Sequence, residues 1–172
     1  MKPLFAERTK ALEIETGFEL LARARALESQ GREIVHLEIG EPDFDTPENI
    51  KDAAITALNK GYTHYVSAAG LPELREVIAE HIAESRKVDV DPEEVVVTPG
   101  GKPIAFFSAL ACLEPGDEVI CPNPGYPIFE SVVRFAGALP VSLPVSGKDG
   151  FAFDCSDLME RVTERTKMLI LN

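Results

Sequence analysis

Apolar residues return along this chain in two rhythms, one of helical spacing and one of short β-type runs. Thr16-Gly17-Phe18-Glu19 reads as a capping box opening a helix that runs to Gly31, a common stop. Ile34 to Ile39 predicts a short strand. Thr46 as N-cap, with Pro47 in the first turn, opens a second helix whose Ile50, Ala53, Ala54, Ala57 and Leu58 share one face before Gly61. Leu74, Val77, Ile78, His81 and Ile82 repeat that spacing in a third. Val95-Val96-Val97 then predicts a strand covered on both faces. A Pro-Gly-Gly turn leads into a helix over Ile104–Leu113, apolar on every side and therefore central. Strands over Glu118–Cys121, Leu139–Leu143 and Met168–Leu171 alternate with helices over Tyr126–Phe135 and Asp154–Val162. Strands separated by helices of this length predict right-handed crossovers and a mainly parallel sheet, the α/β class.

Composition narrows the partners. The chain has 172 residues, 45% hydrophobic and 27% charged, the balance of a globular chain able to bury a core. Its 17 basic and 29 acidic side chains leave a net charge of −12. No basic excess exists to displace counterions from nucleic acid or to bind an anionic membrane surface. Met1 to Lys10 contain no signal-type apolar core, and the apolar run Ile104–Leu113 is too short to span a bilayer. A cytoplasmic protein is expected. Cys112, Cys121 and Cys155 show neither CxxC spacing nor an even count, and read as buried thiols in a reducing compartment. The chain stops one residue after an apolar strand, which reads as a fragment of a longer protein.

Three turns carry candidate chemistry. In Thr98-Pro99-Gly100-Gly101-Lys102 a helix N-terminus offers N–H groups and positive dipole to an anion, and the glycines allow close approach. Pro103 has no N–H, so donors come from Gly101, Lys102 and residues past the proline. The same turn also serves as a plain strand-to-helix connection, and it lacks Walker A and GxGxxG spacing. Asn123-Pro124-Gly125-Tyr126-Pro127 follows a strand, on the sheet edge where ligand crevices form, and Tyr126 offers a flat face to a planar ring or simply packs. Gly40-Glu41-Pro42-Asp43-Phe44-Asp45 holds a carboxylate cluster better read as turn and helix-start chemistry than as a metal site. His36, His64 and His81 form no constellation, and neither a Ser-His-Asp triad nor a zinc site is expected.

Taken in order, these stretches resemble one family. Leu37-Glu38-Ile39-Gly40-Glu41-Pro42-Asp43-Phe44-Asp45-Thr46-Pro47 is similar to the N-terminal signature of class I/II aminotransferases, pyridoxal-phosphate enzymes of fold type I related to aspartate aminotransferase. Gly61-Tyr62-Thr63-His64-Tyr65, Gly70-Leu71-Pro72-Glu73-Leu74-Arg75, Val97-Thr98-Pro99-Gly100-Gly101-Lys102, Pro115-Gly116-Asp117-Glu118-Val119 and Pro124-Gly125-Tyr126-Pro127 continue the pattern. The resemblance runs from about Thr16 to Asn172. It implies that Gly101 and Lys102 lie in the turn whose main-chain N–H groups hold the cofactor phosphate. Tyr126 matches the aromatic residue stacked on the pyridine ring, and Gly40 a backbone position near the substrate α-carboxylate. Tyr65 matches a tyrosine reaching the cofactor phosphate of the neighbouring subunit, which implies a homodimer with shared sites. By the same resemblance, residues 1–46 are an N-terminal arm and small-domain segment. Residues 47–172 are then the N-terminal half of the large pyridoxal-phosphate domain.

The resemblance also implies absences. The Asn-Pro-Thr-Gly stretch, the aspartate facing the pyridine nitrogen, the tyrosine on the ring oxygen and the arginine clamping the α-carboxylate are not found. None of the eight lysines lies in a context like the family's Schiff-base lysine, so no catalytic residue is assigned. The expected parent transfers an amino group from an amino acid to a 2-oxo acid with pyridoxal 5′-phosphate, and this chain alone is expected to be inactive. A lyase or synthase on the same fold, or a non-catalytic phosphate-binding fragment, are the alternative expectations.

Overall fold

The computed structural model describes residues 4–12 and 16–172. They divide into two compact units, one of residues up to Glu38 together with Gly100–Asn172, the other Ile39–Pro99.

The first unit contains helix α1 (Thr16–Glu28); its expected capping contacts lie outside the described residues. After the second unit the chain re-enters at α4 (Gly101–Cys112). Strand β1 (Glu118–Asn123), helix α5 (Pro127–Phe135) and strand β2 (Leu139–Pro144) follow, then α6 (Cys155–Met159) and β3 (Thr166–Leu169). The strands form one parallel sheet in the order β2-β1-β3, with Glu118 opposite Leu139 on one side and Thr166 on the other. Central β1 is buried on both faces, with Val119 and Cys121 pointing one way and Ile120 the other. Val119 and Cys121 pack with Ala109, Leu113, Val132, Val133 and Ala138 into the main core, flanked by Phe106, Ile128 and Met168. Ala138 and Leu143, at either end of the β2 region, are buried as well.

The second unit holds α2 (Glu48–Asn59) and α3 (Pro72–Arg86). The N-cap of α2 is Pro47, with no side-chain cap, and not Thr46 as expected. Past α3, Asp91 and Glu94 form a reciprocal capping box on a short turn. The Arg75 side chain of α3 binds that turn, Nε donating to the Pro92 and Val95 carbonyls at 2.9 Å each. Gly70 allows the loop before α3 to lie against Val97, whose side chain a Cβ at residue 70 would meet at 2.9 Å.

Four further expectations are corrected. Val95–Val97 is extended but joins no sheet, because its backbone groups are satisfied otherwise: Val97 N–H donates to the Ala69 carbonyl at 2.9 Å and the Val95 carbonyl accepts from Arg75. Ile34–Ile39 likewise forms no strand; Leu37 N–H turns to the Glu38 carboxylate at 2.9 Å. Helix α4 is apolar all round yet buries one face only: Ala109 and the following Leu113 are inside, while Ile104, Phe107 and Leu110 stay about half exposed. Of the cysteines, Cys121 alone is buried; Cys112 ends α4 and Cys155 starts α6, both exposed. No described helix is long and apolar enough to cross a membrane.

Candidate functional site

Helix α4 runs into β1 and α5 runs from β1 to β2, so both helices travel against the strands and start at the carboxyl edge of the sheet. Loops at that edge gather the candidate residues of the first unit. Strand β1 ends at Asn123, a cis peptide bond joins it to Pro124, and Gly125 brings the chain round to Tyr126, the N-cap of α5. Gly125 is required sterically, since a Cβ there would lie 2.3 Å from the Pro122 carbonyl oxygen. Tyr126 is half-buried, and its ring meets Phe129 edge-on at 5.6 Å between centroids. Phe129 was not among the residues expected from sequence, although its i+3 spacing from Tyr126 on one helix face was readable.

Helix α4 begins at Gly101 after Gly100 at φ +91°, without a side-chain cap. A Cβ built on Gly101 meets nothing within 4 Å, so the backbone there faces open space. With Pro103 lacking an N–H, Gly101 and Lys102 supply the amide donors of the first turn. Lys102 Nζ lies 5.7 Å from the ring centroid of Phe18, a cation–π contact between α4 and α1. Two depressions adjoin at this edge. One of about 320 Å³ is lined by Gly101, Ile104, Ser108, Phe129 and the backbone run Met168–Leu171. The other, about 340 Å³, lies against Asn123, Gly125, Tyr126, Phe129 and Glu130. Phe129 is the wall common to both.

The remaining expected residues, Gly40 and Tyr65, lie in the second unit, each in a loop; Tyr65 is fully exposed and a Cβ on Gly40 meets nothing within 4 Å. Glu41, Asp43 and Asp45 are exposed, and no metal-binding group of three His, Cys, Asp or Glu occurs among the described residues. In the first unit His36 pairs with two carboxylates, Nδ1 to Glu38 at 2.6 Å and Nε2 to Glu28 at 2.9 Å, a constellation the sequence reading did not foresee. Those bonds, Glu38 first, raise the imidazole pKa above its usual value, and the Glu38 carboxyl falls below its own for the same reason. Burial pushes the Cys121 thiol up to about 11, which removes it from nucleophilic roles.

A helix start without a side-chain cap, an open glycine on it and a tyrosine-lined depression next to it fit a group with an anionic tail and a flat ring. This is an α/β protein whose candidate site lies at the carboxyl edge of a parallel sheet. The sequence profile described as aminotransferase class I and II matches residues 32–172, and the chain belongs to that family. It is 40% identical, over its whole length, to the probable aspartate/prephenate aminotransferase of Aquifex aeolicus, of which it covers 44%. Among solved structures it superposes on the aspartate aminotransferase from Thermus thermophilus with maleate at a TM-score of 0.92, with 40% identity, covering 99% of this chain and 44% of that one. The alanine aminotransferase from Pyrococcus furiosus gives a TM-score of 0.88 and 33% identity, with 96% of this chain and 42% of that one covered. The chain thus spans under half the length of the relatives it matches.

Proposed function

We propose that the protein to which this chain belongs transfers an amino group from an amino acid to a 2-oxo acid with pyridoxal 5′-phosphate, and that this chain supplies the phosphate and ring subsites. The observation that carries the reading is the α4 start, where Gly101 leaves open space beside the first-turn amides in a chain of this family. Gly101 and Lys102 N–H groups hold the phosphate, and the helix dipole adds to their attraction. Tyr126, steadied edge-on by Phe129, bears on the ring. Gly40 lines the region of the substrate α-carboxylate, and Tyr65 serves the phosphate site of a second subunit in a cytoplasmic homodimer. The division into a small-domain segment, residues 1–46, and a large-domain half, residues 47–172, belongs to the same reading. The bound cofactor supplies the electron sink for the reaction. Aspartate is the first amino donor to try, since the names of the similar proteins carry it.

The test uses pyridoxamine 5′-phosphate, which has no aldehyde to react with surface lysines, and compares it with pyridoxamine by calorimetry. The phosphate ester is expected to bind about tenfold tighter or better, worth about 1.4 kcal/mol. Gly101→Ala is expected to abolish that preference while leaving the fold intact, because the added methyl meets no protein atom and alanine favours helix. Equal binding of the two amines, or an unaltered preference in Gly101→Ala, overturns the assignment of the phosphate subsite.

A further inference from the structure

We propose that His36 is a proton-operated latch: as an imidazolium it ties the irregular segment of residues 32–38 to the end of α1, and on losing a proton it lets that segment go. The inference is independent of the cofactor site.

The proton count follows from geometry. His36 Nδ1 lies 2.6 Å from Glu38 Oε1, and Nε2 lies 2.9 Å from Glu28 Oε1. An ionised carboxylate only accepts hydrogen bonds, and a neutral imidazole has a single N–H. Both contacts are therefore satisfied together only when both ring nitrogens carry hydrogen. The other Glu38 oxygen accepts Leu37 N–H at 2.9 Å, which orients that carboxylate toward the ring. Glu28 is the last residue of α1, where a carboxylate opposes the helix dipole and a cation beside it is favourable.

Among the described residues the held segment makes few backbone hydrogen bonds, and Ile34 is its half-buried apolar side chain. Residues 32–37 form neither helix nor strand. Arg32 N–H reaches back to the Leu27 carbonyl at 3.3 Å, and Leu37 N–H goes to the Glu38 side chain. The His36 bridge is a side-chain tie to α1, spanning eight residues. Just past it, at Glu38 and Ile39, the chain passes from the first unit to the second. The charged groups that face the ring are Glu28, from α1, and Glu38, from its own segment; both are carboxylates and both favour the imidazolium.

The sign follows. A histidine whose pKa is raised on folding contributes fully below its unfolded value, near 6.5, and loses that contribution as pH rises through the higher folded value. The Glu38 carboxyl is lowered, so its part is present above its usual 4.5 and lost only as pH falls through the lower folded value. The latch is closed between the usual carboxyl value near 4.5 and the usual imidazole value near 6.5, and opens as pH rises through the higher folded value of His36.

The test is long-range proton–nitrogen NMR of the imidazoles of the protein, with His36→Gln for assignment and amide exchange of residues 32–38 alongside. At pH 6, below the ordinary imidazole value, both His36 nitrogens are expected at imidazolium shifts. The double variant Glu28→Gln with Glu38→Gln is expected to lower the His36 midpoint by about half a unit or more. Corrected for intrinsic pH dependence, exchange of the segment is expected to accelerate about threefold or more through the His36 midpoint. No such step is expected in His36→Gln, where exchange is fast throughout. A His36 with one N–H at pH 6, or a midpoint unchanged in the double variant, overturns the bridge. Segment exchange that ignores the His36 midpoint overturns the latch.

Discussion

Glu118→Gln measures how firmly the central strand is anchored. Glu118 opens β1 with 5% of its surface exposed, yet it carries a charge. Its carboxylate accepts two side-chain hydrogen bonds, from the Thr163 hydroxyl at 2.6 Å and from the Arg165 guanidinium. Both donors stand in the turn before β3, and the Glu118 N–H donates to the Arg165 carbonyl at 2.8 Å. One residue thus clamps the entry of β3 to the centre of the sheet through backbone and side chain together. Glutamine keeps the volume and one carbonyl oxygen but places an N–H group where the second acceptor stood.

One of the two donors then loses its acceptor, and the surviving bond no longer ends on a carboxylate. A hydrogen bond to a charged group contributes about 1.5–3 kcal/mol, roughly twice a neutral one. Arg165 is 64% exposed on its side chain, so water replaces part of what it loses and its share falls at the low end. The expected total is about 2 kcal/mol. In urea, with a slope of about 2 kcal/mol per molar, that moves the unfolding midpoint of the β-sheet signal down by about 1 M. Thr163→Val closes a double-mutant cycle, and a coupling of about 0.5–1.5 kcal/mol is expected because the two groups touch. A Glu118→Gln midpoint within experimental scatter of the parent, with no coupling to Thr163, refutes the anchoring argument and leaves the backbone bonds alone to set the β3 register.

Three further outcomes are expected. Leu143→Ala empties a fully buried site on β2 and should cost about 2–5 kcal/mol in the same urea assay. Gly70→Ala places a methyl 2.9 Å from the Val97 side chain at a backbone φ of +105°; a loss of about 1–3 kcal/mol is expected, and proteolysis between α2 and α3 should quicken. At pH 8 an alkylating reagent should label Cys112 and Cys155 while Cys121 stays unmodified until pH approaches its thiol pKa of about 11, as peptide mass mapping will read; labelling of Cys121 at the rate of the others sinks the burial argument.

How far the sequence could be read depended on the range of the interaction that decides each feature. Helix starts and β-to-α turns are local, and so Pro72, Tyr126-Pro127 and Asp154 mark the ends of α3, α5 and α6 within a residue or two of where composition puts them. The Gly101 and Tyr126 turns were legible for the same reason. Gly125 is dictated by its close approach to Pro122, set within a few residues. Strands are another matter. Val95-Val96-Val97 has as much β-propensity as β1, but a strand exists only with a partner, and Ala69 and Arg75 take the hydrogen bonds that a neighbouring strand would have taken.

The same distinction explains which polar residues were overlooked. Glu118 and Thr163 are 45 residues apart, and nothing in the spacing of either announces the other. His36 and Glu28 are eight apart, too far for one helix face and joined only because the chain leaves α1 and doubles back beside it. Burial of the cysteines failed for a related reason: Cys112 follows the helical rhythm of α4, but that helix turns its Ala109 side to the core and leaves the rest of its apolar surface outside. Periodicity says which residues share a face, whereas only the packed neighbours say which face is covered. An anion site could be proposed at the Gly101 turn before the fold because that reading rests on backbone that the local sequence controls. The proton latch at His36 could not, because its chemistry resides in where three side chains meet.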